Sequence, residues 1–207
     1  MATKINTTSA KKKSSNSLAT KPSRTKAVVH SSKVSYKGRV FFVTTDTVTE
    51  PGGITGTRDV VRHNGSVIIL AVDTSVNPAD PTILIERQYR HAAEQFLYEL
   101  PAGSIDKGEA PLAAAKRELI EETGFRAKKW SKLVKYYASP GFLSETMQVF
   151  LAEDIHPGIA EPEADEKISL HQIPLSTLLK EIESGKILDG KTILSVLLFA
   201  RKLAERD

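Results

Sequence analysis

Hydrophobic and polar positions change their spacing several times along the 207-residue chain, and each change marks an element. Residues 1–33 show no apolar periodicity. From about residue 34 the pattern becomes that of a folded domain, which we take as 34–207. Val40, Phe42 and Val43 lie in a β-rich stretch, about 34–49, that ends at the turn cluster Glu50-Pro51-Gly52-Gly53. Ser66–Asp73 (SVIILAVD) and 82–87 (TILIER) are apolar runs of strand length. Asn77-Pro78-Ala79-Asp80-Pro81 between them reads as a turn, so the two runs are expected to form an antiparallel hairpin. Further strands are expected at 95–100, 134–138, 147–152 and 167–173.

Three segments follow helical spacing instead. Pro111–Thr123 carries Ala113, Ala114, Ala115, Leu119 and Ile120, and Gly124 suits the left-handed position that ends a helix. An amphipathic helix is expected over 174–183 with Gly185 beyond it. A final helix over 191–205 carries Ile193, Leu194, Val196, Leu197, Leu198 and Leu203. Strands and helices mix without regular alternation, and no repeat is visible. This predicts an α/β domain with a mixed sheet and helices packed on its faces.

Composition narrows the classes. At 40% hydrophobic residues the chain can bury a substantial core. It has no apolar run long enough for a transmembrane helix, so no membrane association is expected. The absence of cysteine excludes disulfides, thiolate metal sites and a cysteine nucleophile. Charge is uneven: residues 1–33 hold eight of the 29 basic residues and no acid, so they carry +8. The remainder has 29 − 8 = 21 basic and 25 acidic residues, or −4, which sums to the overall +4. The basic Ser/Thr/Lys-rich tail is too polar to offset its ordering entropy and is expected to be disordered. It reads as a solvated tail, a nucleic-acid or anionic-surface contact, or an organelle transit segment; it has no apolar core of a secretory signal. A cytoplasmic location is expected, with organelle targeting left open.

The helix over Pro111–Thr123 carries the candidate chemistry. Glu118, Glu121 and Glu122 are spaced i, i+3, i+4, which brings three carboxylates to one face. Such repulsion makes sense where a hard divalent cation sits among them; otherwise they form a solvated acidic face partnered by Lys116 and Arg117. Arg117 lies one turn before Glu121 and can orient it. In the preceding Ala102-Gly103-Ser104, glycine allows close approach of backbone to a ligand, and the Ala102 carbonyl can supply another oxygen.

Gly103, Glu109 and the run Arg117-Glu118-Leu119-Ile120-Glu121-Glu122-Thr123-Gly124-Phe125 match every defined position of the Nudix box, Gly-x5-Glu-x7-Arg-Glu-aliphatic-x-Glu-Glu-x-Gly-apolar. Seven fixed identities arise by chance at ~10⁻⁸ per starting position. The chain thus resembles the Nudix hydrolases, which cleave a nucleoside diphosphate linked to another moiety. The resemblance implies an α/β/α sandwich, here with an N-terminal antiparallel strand extension. It implies Mg²⁺ or Mn²⁺ held by Glu118, Glu122 and the Ala102 carbonyl. Glu121 would be a ligand or catalytic helper, Arg117 would orient the glutamates, and Glu109 would brace the loop.

Outside the box, Pro140, 15 residues after Phe125, together with Glu86-Arg87-Gln88-Tyr89-Arg90, Tyr98-Glu99-Leu100-Pro101-Ala102-Gly103 and Ser144-Glu145, resembles the ADP-ribose pyrophosphatase subgroup. By that match Arg90 and Glu99 contact substrate and Glu145 sits near the terminal ribose. The catalytic base in this subgroup comes from a late acidic loop, here Glu161-Pro162-Glu163-Ala164-Asp165-Glu166, although Ala164 falls where a Glu is expected. Glu163 is the candidate base and Glu166 an additional metal ligand; His91 and His171 are less favoured bases. The resemblance implies ADP-ribose as substrate, AMP and ribose 5-phosphate as products, and a homodimer with shared N-terminal strands. Another nucleotide sugar or a dinucleotide is the alternative substrate; Phe142, where the polyphosphate branch often has Tyr, disfavours that branch. A non-catalytic nucleotide-binding module is the remaining reading.

Overall fold

The computed structural model describes residues 26–159 and 167–205. Ten strands and three α-helices run in the order β1 (Val28–Lys37), β2 (Phe42–Thr49), β3 (Thr55–Arg62), β4 (Ser66–Asp73), β5 (Thr82–Arg90), β6 (Gln95–Glu99), β7 (Ala102–Ser104), α1 (Pro111–Thr123), β8 (Arg126–Tyr137), β9 (Thr146–His156), β10 (Ser169–Pro174), α2 (Leu175–Glu183) and α3 (Gly190–Ala204).

The main sheet has the order β10-β5-β4-β9-β8. β4 and β9 are parallel and the other pairs antiparallel, so the sheet is mixed. β6 pairs with β5 and β7 with β4, and the two are halves of one run broken at Leu100-Pro101. The break lets the Pro101 carbonyl accept from the Ile69 N–H at 2.9 Å.

β4 explains the layering. Its six central residues are all buried, an unbroken apolar run that fits a strand covered on both faces. Val67, Ile69 and Ala71 pack with Ala114, Ala115 and Leu119 of α1. Ile68, Leu70 and Val72 pack with Leu175, Leu178, Val196 and Phe199 of α2 and α3. Alternate side chains thus feed two cores, and the domain is the α/β/α sandwich expected from the sequence.

Helix ends follow local chemistry. Pro111 occupies the first turn of α1, where its missing N–H costs nothing. Gly124 ends the helix at φ 74°, with its N–H bonded to the Ile120 carbonyl. Asp189 caps α3 by accepting from the Thr192 N–H. The Thr192 hydroxyl also accepts from the Leu100 N–H at 2.8 Å, which fastens the start of α3 to the β6–β7 break.

β1, β2 and β3 form a separate antiparallel sheet. It joins the main body through Val61, whose N–H donates to Phe142 and whose carbonyl accepts from Ser144. Here the structure departs from the sequence reading. β1 begins at Val28, so the expected boundary at 33/34 falls inside a strand; residues 1–25 lie outside the described residues. Val40 sits in the turn between β1 and β2. β3 (TGTRDVVR) was not anticipated, because it alternates weakly and is half exposed. β8 starts at Arg126, eight residues before the expected 134, because an edge strand tolerates the polar run Lys128-Lys129-Trp130-Ser131-Lys132. Among the described residues no helix is long and apolar enough to cross a membrane.

Leu119 is fully buried between α1 and the sheet. Leu119→Ala should cost about 2–5 kcal/mol, read as a lowered denaturant midpoint at unchanged slope.

Candidate active site

One guanidinium organises the acidic face of α1. Arg117 donates from Nε and Nη2 to both oxygens of Glu109, each at 3.1 Å. Its Nη1 donates to Glu118 and to Glu121, each at 2.8 Å, and Nη2 also reaches the Ser104 carbonyl at 3.1 Å. The Glu109 hydrogen bond, then those of its other partners, pushes the Arg117 pKa further up, so it remains a cation at any working pH. The same hydrogen bond from Arg117, with the Asp106 N–H, holds the Glu109 carboxyl below its ordinary value. Glu109 and Arg117 thus tie the loop before α1 to its acidic face.

Two glutamates converge on Ala102-Gly103. The Ala102 N–H donates to Glu122 at 3.1 Å, and Glu122 is buried. A Cβ added at Gly103 would lie 2.0 Å from the Glu118 carboxyl carbon, so only glycine leaves room for that carboxylate. Two carboxylates against one backbone segment make a set of hard oxygen donors, which suits a divalent cation better than a thiophilic metal. Among the described residues no three acidic or histidine side chains already cluster as a metal site.

A cavity of about 210 Å³ opens beside this segment, lined by His63, Ser66, Ile68, Arg90, Ala102, Gly103, Ser104, Glu145, Met147 and Lys191. Hydrogen bonding divides its polar groups in two. Arg90 and Lys191 share the buried Glu99: Arg90 forks onto both carboxylate oxygens at 2.8 and 3.0 Å, and Lys191 pairs with one of them. Burial raises the Glu99 pKa, but its bonds to Arg90 and Lys191 outweigh that and hold it below the ordinary value. On the other side the Ser66 hydroxyl donates to Glu145 at 2.5 Å, and His63 Nδ1 lies 3.6 Å from the same oxygen. The Gly65 N–H donates to His63 Nδ1 at 3.0 Å, which leaves Nε2 to carry the proton of the neutral ring.

The NUDIX domain profile matches residues 63–189. The chain belongs to the NUDIX family.

It is 36% identical over 163 residues to an ADP-ribose pyrophosphatase of Bacillus subtilis, covering 78% of this chain and 85% of that protein. It is likewise 36% identical over 171 residues to an ADP-ribose pyrophosphatase of Mycobacterium tuberculosis, covering 81% and 80%. A GDP-mannose pyrophosphatase of Salmonella paratyphi B is 33% identical over 153 residues, covering 66% and 77%. A solved structure described as an ADP compounds hydrolase superposes with a TM-score of 0.74 at 22% identity, covering 90% of this chain and 98% of that one; it shares the fold. The protein is a NUDIX hydrolase of nucleoside diphosphate derivatives, a family that generally uses divalent metal ions.

Of the residues singled out from the sequence, Arg90, Ala102 and Glu145 line the cavity, and Glu118, Glu121, Glu122 and Arg117 share the helix face beside it. Two others stand outside the lining. Glu99 is 3% exposed and pairs with two cations that line the cavity. Pro140 is in an exposed turn and is absent from the lining. Glu163 and Glu166 lie outside the described residues. His91 is exposed and His171 stacks edge-on against Tyr98; the histidine in the cavity is His63. His63, Ser66 and Lys191 were not found from the sequence, because each sits in an unremarkable local pattern. The NUDIX fold alone brings 63, 90, 145 and 191 together.

Gly103→Ala should displace the Glu118 carboxylate and lower turnover of a nucleoside diphosphate substrate about 100-fold in a protein that still unfolds cooperatively. Full turnover in this variant would mean that the contact is dispensable.

Proposed function

We propose that the protein hydrolyses ADP-ribose to AMP and ribose 5-phosphate with Mg²⁺. The reading rests above all on the cavity lining: two cations, Arg90 and Lys191, share a space with the hydrogen-bonding groups of Glu145, Ser66 and His63, beside the glutamate helix. A diphosphate joined to a sugar has this pair of characters, an anionic centre and a hydroxyl-rich end. The names of the relatives at 36% identity support the same substrate.

In this reading Glu118, Glu122 and the Ala102 carbonyl hold Mg²⁺, with Glu166 as an additional ligand. When bound, the ion neutralises phosphate oxygens and acidifies water. Arg90 binds the diphosphate through the guanidinium N–H groups not used by Glu99. Arg117 keeps Glu118 and Glu121 in place while substrate enters, and Glu121 assists as a ligand or helper. Glu145 accepts a hydroxyl of the terminal ribose. Glu163 takes the proton of the attacking water. The water oxygen bonds to one phosphorus, the bond from that phosphorus to the bridging oxygen breaks, and its electron pair stays on the departing phosphate. No covalent enzyme intermediate is needed.

The relative named GDP-mannose pyrophosphatase favours a second reading, with the same chemistry on another nucleotide sugar. ADP-ribose and GDP-mannose, each incubated with Mg²⁺ and analysed for nucleotide monophosphate, separate the two. AMP should accumulate at the higher kcat/KM, and Glu122→Gln should lower that rate at least ~10³-fold without loss of fold. GMP release outpacing AMP release would shift the assignment to the second reading.

We further propose a homodimer. All ten residues of β1 are exposed, at the edge of the small sheet, and Val28, Val29, Val34 and Tyr36 are among them. A long edge strand with apolar side chains is a surface that a second copy can cover. Light scattering of the full chain should give twice the 22.7 kDa mass. A monomer at micromolar concentration would remove this proposal.

A further inference from the structure

A second cavity, of about 200 Å³, lies on another side of α1 and shares no lining residue with the first. Lys116, Leu119 and Ile120 of α1 form one wall, and Arg126, Ala127 and Trp130 of β8 the other. The helix spacing i, i+3, i+4 puts the first three on one face, turned away from Glu118, Glu121 and Glu122. Leu119 is fully buried, and Ile120, Ala127 and Trp130 are half-buried, so the floor is apolar. The Trp130 Nε1–H donates to the Ala127 carbonyl at 3.0 Å, which orients the ring and uses its only side-chain donor. Lys116 and Arg126 are exposed, and neither forms an ion pair or a side-chain hydrogen bond among the described residues. The Arg126 guanidinium is pressed instead against the Gly158 backbone, where an added Cβ would lie 2.1 Å from its Nη1. β8 has no acidic residue. Glu153 and Asp154 of β9 stand opposite Lys129 and beside Lys128, and neither lines the cavity.

We infer that this cavity is a binding site for a small aromatic carboxylate, with its ring against Trp130 and the apolar floor and its carboxylate between Lys116 and Arg126. Charge and hydrogen-bonding capacity select that class. Two cations without a counter-ion at one mouth make a positive field that an anion offsets. None of the six lining side chains carries a hydrogen-bond acceptor, so the hydroxyls of a sugar would lose their partners there. An aromatic ring meets no such penalty and packs on an indole. The first cavity has the contrary lining, with the carboxylate, hydroxyl and imidazole of Glu145, Ser66 and His63. The second site is thus separate from the nucleotide site in both residues and chemistry.

Trp130 is the chain's only tryptophan, so its fluorescence reports on this cavity. Phenylacetate titrated into the full chain should give a saturable change in that fluorescence and a binding heat with the same Kd, about 1 mM or tighter. Benzyl alcohol, a ring without charge, and acetate, a charge without a ring, should each bind at least ~10-fold more weakly. The double variant Lys116→Gln/Arg126→Gln alters two exposed side chains, so it should keep the denaturant midpoint of the unaltered protein. Its Kd for phenylacetate should rise at least ~10-fold. Equal affinity for benzyl alcohol or for acetate would overturn the recognition of ring and charge together. An unchanged Kd in the double variant, a binding heat without a change at Trp130, or no saturable signal would overturn the site. None of these readouts depends on which nucleotide the protein hydrolyses.

Discussion

Three carboxylates are held by one guanidinium. Arg117 touches Glu109, Glu118, Glu121 and the Ser104 carbonyl, so loop, helix and the strand end before it share a single cationic centre. Without that charge the glutamates would repel one another across a turn of α1. With it, Glu118 and Glu121 are held together on one side of α1, and the helix keeps an acidic face beside Ala102-Gly103. The opposite face is made of Ala114, Ala115 and Leu119, small or well-fitted residues that bring α1 close to β4. The position of the glutamates thus depends on packing behind them and on one arginine in front.

A second buried charge centre lies on the other side of the cavity. Glu99 is a carboxylate placed where burial disfavours charge, and it stays ionised because Arg90 and Lys191 surround it. The cations come from β5 and α3, 101 positions apart in the chain (191 − 90). The bond from Leu100 to Thr192 ties α3 to the strand that also presents Ala102 and Gly103. Movement of α3 would therefore disturb the cavity and the glutamate segment together. The small N-terminal sheet is coupled in a similar way: β3 bonds to Phe142 and Ser144 and leads directly into His63 and Ser66.

Much of the fold was legible because its central strands are short apolar runs and its helices are amphipathic. Ser66–Asp73 and Pro111–Thr123 were read with the observed boundaries, since burial on both faces and a terminal glycine leave clear local signals. β1, β3 and the first half of β8 were not, for a common reason. They lie at edges or outside the main core, where side chains meet water and no apolar period is imposed. The surroundings of Glu99 were hidden for a related reason. Its position between Tyr98 and Leu100 does not reveal whether its carboxylate faces the cavity or stands behind the groups that do.

By itself the sequence determined the glutamate helix, because Glu118, Glu121 and Glu122 are brought together by a helical turn and need no distant contact. It also determined the glycine that must precede them and, from these, the family. Only the tertiary structure decided what lies opposite. His63 with Ser66, Arg90, Glu145 and Lys191 come from four separate segments, and no local spacing relates one segment to another. Their meeting is set by the pairing of β4 with β9, the wedge of β6 and β7, and the docking of α3. Those contacts are made by long-range burial, which a local pattern of residue types does not encode.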